Sequence, residues 1–181
     1  MPSKNPVVDW LIDSDPSIRW QVLRDLLDAP QDVWSAERDK IEVEGWGARI
    51  LSLQDPDGQW AGGSYIPKDL TKNERETVGF PWTATAHTLS LLREFGLNPH
   101  SETAMKTTKL VGQFCRWDEG NQLFWEGETE ECINGGTVAN GAYFGADVEP
   151  IVQRLLGEKQ NDGGWNAKGA MDPQSHLSLR Q

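Results

Sequence analysis

With 181 residues, 37% of them apolar and 25% charged, the chain is long enough for one domain with a core and too apolar to be disordered. A formal net charge of −11 leaves no basic stripe to neutralise phosphates, which argues against a nucleic-acid partner. No apolar run approaches ~20 residues, so no transmembrane segment is predicted; the first residues lack the apolar centre of a signal peptide, Cys115 and Cys132 do not make a disulfide scaffold, and a cytoplasmic location is expected.

Nine tryptophans outnumber phenylalanine and tyrosine together. Rings that large need a packed groove, a stacking partner or a lined cavity. Residues 1–14 read as a lead with a short apolar cluster at Val7, Val8, Trp10, Leu11 and Ile12. Asp15-Pro16 starts a helix, the carboxylate accepting from free backbone donors and the proline harmless in the first turn. Ile18, Val22 and Leu26 recur on one face, and Pro30 ends the element. Arg19 and Arg24 read as its solvated side. A second helix is expected from about Ser35 to Leu53, with Trp46, Ile50 and Leu53 on one face. Gly45 and Gly47 fall inside it. Glycine costs about 1 kcal/mol there, so both positions predict close approach by a neighbour.

The run Leu53-Gln54-Asp55-Pro56-Asp57-Gly58-Gln59-Trp60 closes that helix, and a shortened echo recurs at Glu158-Lys159-Gln160-Asn161-Asp162-Gly163-Gly164-Trp165. The Gln54 amide, which both donates and accepts, is expected to reach free groups at the helix end, with Trp60 covering it. Residues 61–81 form a long polar connection, a length that goes with disorder or with function. Pro81-Trp82-Thr83 opens a helix with Ala84, His87 and Leu91 along one face and Gly96 as its stop. Ser101 caps the next one, to about Arg116. Residues 117–134 break the pattern with Glu126, Glu128, Glu130 and Glu131 gathered before Cys132. A glycine-rich helix follows Gly135-Gly136 through Tyr143 and Phe144, and another carries Val148, Val152 and Leu155 on one face. Asp172-Pro173 marks a further start, and the sequence reads as stopping inside a repeat. Trp60 and Trp165 lie 105 residues apart, with the region of Trp117 and Trp125 as a diverged middle junction.

The spacing of Gln54, Gly58 and Trp60 resembles the QW repeat of the squalene and oxidosqualene cyclases. The copy from Gln160 to Trp165, one residue shorter, resembles the form shared by cyclases and the beta subunits of protein prenyltransferases. The resemblance covers most of residues 15–168. It implies an all-α fold, an α/α toroid in which inner and outer helices alternate around a central cavity. Outer helices would fall at 38–54, 101–116 and 147–160, and inner ones at 16–28, 82–95 and 135–145, with a fourth inner helix from about residue 174. A closed ring of six hairpins needs roughly 250 to 300 residues. Residues 15–181 are therefore expected to form a partial ring that stays open, dimerises to close, or buries its inner face another way; a half-ring would expose apolar surface and invite self-association.

The catalytic residues of the cyclases do not carry over. Class II cyclases protonate an isoprenoid with Asp-x-Asp-Asp, whereas Asp13-Ser14-Asp15-Pro16 lacks the fourth acid and Asp15 serves as a cap. The prenyltransferases bind zinc through Asp-x-Cys and a later His. On that resemblance Glu130, Cys132 and His176 outline a zinc site, three competent ligands with a fourth place open. The acids around Cys132 raise its thiol pKa and count against a free nucleophile. Cys115 reads as a small core residue. His87, the candidate for catalysis, is either a cavity-facing ligand or base or a partly buried, hydrogen-bonded residue without chemistry. Trp82, Trp125, Tyr143 and Phe144 either line a cavity for an apolar, isoprenoid-like small molecule or pack between helices. Two functions stay open: a toroid protein that binds or transforms such a ligand, and a non-catalytic helical-repeat module for structure or protein binding.

Overall fold

A computed structural model describes residues 5–68, 70, 71, 73, 74, 77, 81–118, 120–128, 130–161 and 163–165. Over these residues the chain is all-α, with no strand. The start signal at Asp172-Pro173 and the expected fourth inner helix lie outside them. The apolar cluster of the lead forms α1, Pro6–Ile12, capped by the Asn5 side chain, which accepts from Val7 N at 3.0 Å. α2, Pro16–Asp25, packs against it.

Asp15 does more than cap α2. Its Oδ1 accepts from Ser17 N at 2.9 Å, and its Oδ2 accepts from Trp46 N at 2.7 Å. One carboxylate thus closes the N-termini of two helices. This explains why the helix expected from Ser35 to Leu53 is not continuous. It is replaced by α3, Gln31–Asp39, a 3-10 turn at Lys40–Glu42, and α4, Gly45–Ser52. The break falls at Gly45, whose φ of +67° lies in the left-handed region, and a Cβ there would sit 2.0 Å from Asp15 Oδ2. The inward residues of α2 also differ from the expected row. Trp20 and Val22 are buried while Leu26 is exposed. Trp20 is drawn in because its indole N–H donates to Phe95 O at 2.7 Å. Arg19 is not simply solvated: it donates to Ser14 O at 2.9 Å and pairs with Glu37, joining α2 to α3.

The two Gln-to-Trp turns share one hydrogen-bond pattern. In the first, Asp55 N donates to Gln59 O at 2.8 Å and Gly58 N to Asp55 O at 2.8 Å. In the second, Gln160 N donates to Gly164 O at 2.9 Å and Gly163 N to Gln160 O at 2.9 Å. Gly58 and Gly163 have φ of +89° and +88°. The indole of Trp60 donates to Ile50 O at 2.9 Å, and that of Trp165 to Leu155 O at 2.6 Å, each ten residues back. The shared register pairs Gln160 with Asp55, not with Gln54, so the second turn is not a shortened copy. The roles within the first turn are also exchanged relative to expectation. Trp60 binds the helix-end carbonyl, while the Gln54 amide donates to Gly58 O at 2.9 Å and to Thr107 Oγ1 at 3.1 Å.

Gly96 ends α5, Thr85–Phe95, in the left-handed conformation, and the Ser101 hydroxyl accepts from Ala104 N at the start of α6, Glu102–Phe114. The buried side of α5 carries Thr85, Leu89 and Leu92, whereas Leu91 is exposed. After α6 a turn is clipped by Phe124 N donating to Cys115 O at 3.1 Å, with Trp117 stacked on Phe124 at 4.7 Å between ring centroids. α7, Glu131–Phe144, begins four residues before the expected Gly135, and α8 covers Glu149–Glu158. α4 touches α5, α5 and α6 both pack on α7, and α7 packs on α8. The core holds Trp20, Ile41, Trp60, Leu89, Leu92, Val111, Trp117, Phe124 and Phe144. None of the described helices is long and apolar enough to cross a membrane.

Trp60 is 3% exposed and Trp165 45%. Trp60→Phe keeps a ring but loses the indole donor and leaves space behind it, so it should cost about 1–3 kcal/mol in urea unfolding. Trp165→Phe should cost less than about 1 kcal/mol, because water replaces the lost partner.

Candidate functional site

Residues 61–81 read in the sequence only as a polar connection, with a helix opening at Pro81-Trp82-Thr83; the helix starts instead at Thr85, and the first part of the connection is fixed against it. Thr85 N donates to Gly63 O at 3.1 Å and Ala86 N to Ser64 O at 2.8 Å. The loop carbonyls thereby satisfy backbone donors that a helix start leaves free. Asp118, from the turn after α6, accepts from Ser64 Oγ at 3.0 Å and from Ile66 N at 3.4 Å through Oδ2. Tyr65 is held between these two anchored neighbours and lies over α5. Its ring centroid is 4.3 Å from that of His87, and Trp82 meets His87 edge-on at 4.6 Å.

The opposite wall is the start of α7 and the residues before it. Asn134 is fully buried, accepting from Glu128 N at 2.7 Å and donating to Glu128 O at 2.8 Å. Arg154 of α8 donates to the same carbonyl at 2.6 Å, and Glu128 Oε2 accepts from Glu130 N at 2.6 Å. Deeper in, Asn140 donates to Ala86 O at 3.3 Å and to Ser90 Oγ at 3.0 Å, fastening α7 to α5. Two adjoining hollows lie between these walls. One, of about 220 Å³, is lined by Tyr65, Ile66, Trp117, Asp118, Glu128, Glu130 and Ile133. The other, of about 150 Å³, is lined by Tyr65, Ala86, His87, Ser90, Cys132, Ile133, Gly136, Thr137 and Asn140. They share Tyr65 and Ile133.

Of the residues singled out in the sequence, His87, Cys132 and Glu130 line these hollows, and Trp82 stands beside them against His87. Trp125, Tyr143 and Phe144 are held elsewhere. The Trp125 indole donates to Thr108 O at 3.1 Å on α6, the Tyr143 hydroxyl donates to Leu97 O at 2.8 Å, and Phe144 belongs to the core. His176 lies outside the described residues. Cys132 Sγ is 3.7 Å from Glu130 Oε2, so two of the three outlined zinc ligands are neighbours. Among the described residues no group of three His, Cys, Asp or Glu side chains is placed to hold a metal ion.

Burial pushes the His87 imidazole below its usual range, and its hydrogen bond to the Tyr65 main chain opposes that only in part. Burial and the neighbouring Glu130 push the Cys132 thiol up. Burial also raises the Tyr65 phenol, with Cys132, Glu130 and Glu128 adding to it. Tyr65 and Asp118 did not stand out in the sequence. An aromatic residue beside Ile66 near the start of a largely polar run was the signal available for Tyr65.

No protein-family model matches the chain, and no curated protein or solved structure gives a match either.

Two measurements follow from these protonation states. Iodoacetamide at about pH 7 should label Cys132 slowly and faster as pH rises past about 9, the thiolate being the nucleophile. Cys115, fully buried and pushed to about 12, should label only on unfolding. For His87 the folded state disfavours the cation, so the unfolded chain binds the extra proton between the depressed value and about 6.5. The stability this contributes is fully present above that window and is lost as pH falls through it. Urea midpoints compared at about pH 7 and about pH 5.5 should drop less in His87→Gln than in the parent.

Proposed function

We propose that this chain is a helical-hairpin protein of the α/α-toroid kind that binds a small molecule with an apolar body between α5, α7 and residues 64–66. The observation that carries the reading is the pair of adjoining hollows that share Tyr65 and Ile133. Concave sites with mostly apolar walls and a few placed polar groups are the usual form of ligand pockets. The relation to the toroid proteins is supported by the repeated turn geometry, two turns 105 residues apart with the same hydrogen bonds and the same indole-to-carbonyl contact. Helix α5 packing on α7 suits inner helices that follow one another around a cavity.

His87 offers polar contact in the smaller hollow. Kept neutral by burial, it accepts a hydrogen bond or a proton through whichever ring nitrogen is not engaged by the Tyr65 main chain. Cys132, kept protonated, serves as wall. Self-association fits the same reading, since Val7 and Trp10 on α1 are 58% and 70% exposed; sedimentation at several concentrations reports it.

The test is titration with geraniol, followed by calorimetry and by tryptophan fluorescence, Trp117 lining the larger hollow and Trp82 standing against His87. Binding should be at least about tenfold weaker in Ile133→Asp, which sets a charge on the wall both hollows share. Circular dichroism should show the variant folded. Equal binding by parent and variant would remove the site from these hollows.

A further inference from the structure

The walls of the larger hollow are unlike those expected for an isoprenoid diphosphate. We propose that the ligand of this site is an organic cation, an amine carried on an apolar body, with its ammonium group between Tyr65 and the carboxylates of Asp118, Glu128 and Glu130. The inference rests on the binding reading above and narrows it to a ligand class.

Three observations carry it. First, the larger hollow presents three carboxylates, and its described lining contains no Lys or Arg. A diphosphate would meet like charge on that wall, whereas an ammonium meets opposite charge in a partly desolvated space, where attraction is stronger than in water. The surrounding chain, at a net −11, adds to the attraction at long range.

Second, the aromatic residues suit the same guest. Tyr65 and Trp117 both line the larger hollow. The negative face of an aromatic ring attracts a cation within about 6 Å of its centroid. Tyr65 shares the lining of that hollow with Asp118, Glu128 and Glu130.

Third, the carboxylates share a hollow without converging on a point. Among the described residues no three acidic, His or Cys side chains group as a metal site would require. Spread acids around about 220 Å³ fit an extended guest better than a bare ion. Ile66 and Ile133 supply the apolar contact for its body, and the smaller hollow beyond Ile133 receives the rest. Two of the acids are held by backbone and hydroxyl donors, Glu128 by Glu130 N and Asp118 by Ser64 Oγ and Ile66 N, which fixes their positions before a ligand arrives.

The experiment compares geranylamine, geraniol and geranyl diphosphate by calorimetry on the full chain at low salt. The amine should bind at least about tenfold more tightly than the alcohol, and that preference should shrink as salt rises. Glu130→Gln, at an exposed position, should reduce the preference with the fold intact. Asp118→Asn with Glu128→Gln, which keep acceptors for the same donors, should remove it. Tyr65→Leu should weaken the amine more than the alcohol. Equal binding of amine and alcohol would overturn the proposal and leave the apolar site standing. Tighter binding of the diphosphate would overturn it as well. Failure of all three ligands to bind would overturn both this inference and the binding reading beneath it.

Discussion

A buried indole carries one N–H that must find an acceptor, and this chain meets that demand with main-chain carbonyls. Trp20 takes Phe95 O, Trp60 takes Ile50 O, Trp117 takes Phe124 O and the partly buried Trp125 takes Thr108 O, while the exposed Trp165 makes the same kind of bond to Leu155 O. Each bond fixes a large ring against one backbone position, so the ring cannot slide along the helix it covers. The net worth of such a bond is about 1 kcal/mol, but leaving the donor buried and unpaired costs more. Register between helices is therefore set by where a carbonyl is free, and the apolar core fills in around the rings. The Trp20 bond ties α2 to the end of α5, and the Trp60 bond folds the chain back on α4 before it enters residues 64–66.

Polar clamps then shape the site where the indoles do not reach. Asn134 encircles the main chain of Glu128, Asn140 joins α7 to Ala86 and Ser90 of α5, and Asp118 holds both neighbours of Tyr65. Each clamp buries groups that are costly to leave unsatisfied, and each satisfies them. The result is a hollow whose walls are made rigid by hydrogen bonds outside it, with carboxylates at its margin and isoleucine and tyrosine between its two halves. A neutral imidazole fits this setting, since the aromatic residues that crowd His87 also keep water from it.

Much of the helix plan was legible because its signals are local. Asp15-Pro16, Gly96 and Ser101 act on their own termini, and each marks the boundary its chemistry predicts. The break at Gly45 was not legible, because its cause is the Asp15 carboxylate about thirty residues earlier in the chain. The exchange of roles between Gln54 and Trp60 was hidden for the same reason: Thr107, which engages the Gln54 amide, belongs to another hairpin. His87 and Cys132 were visible as reactive residue types. Tyr65, Asp118 and the two asparagines were not, since Asn within a helix reads as surface until the neighbouring helix is seen. Trp125, Tyr143 and Phe144 could be read either as cavity lining or as packing between helices, and which of the two applies depends on carbonyls and core contacts that only the fold reveals.

The repeated turn has a consequence for how the chain reaches this structure. Its bonds close within ten residues, whether the indole ends up 3% exposed, as in Trp60, or 45% exposed, as in Trp165. The bonds common to both turns are thus local, although the first turn is tied in addition to Thr107 and Thr85. Contacts of such short range carry little loop-closure entropy and form early. Each turn can therefore serve as a seed that orients its helix before distant parts of the chain dock, and as a unit that survives transfer to a different helix end.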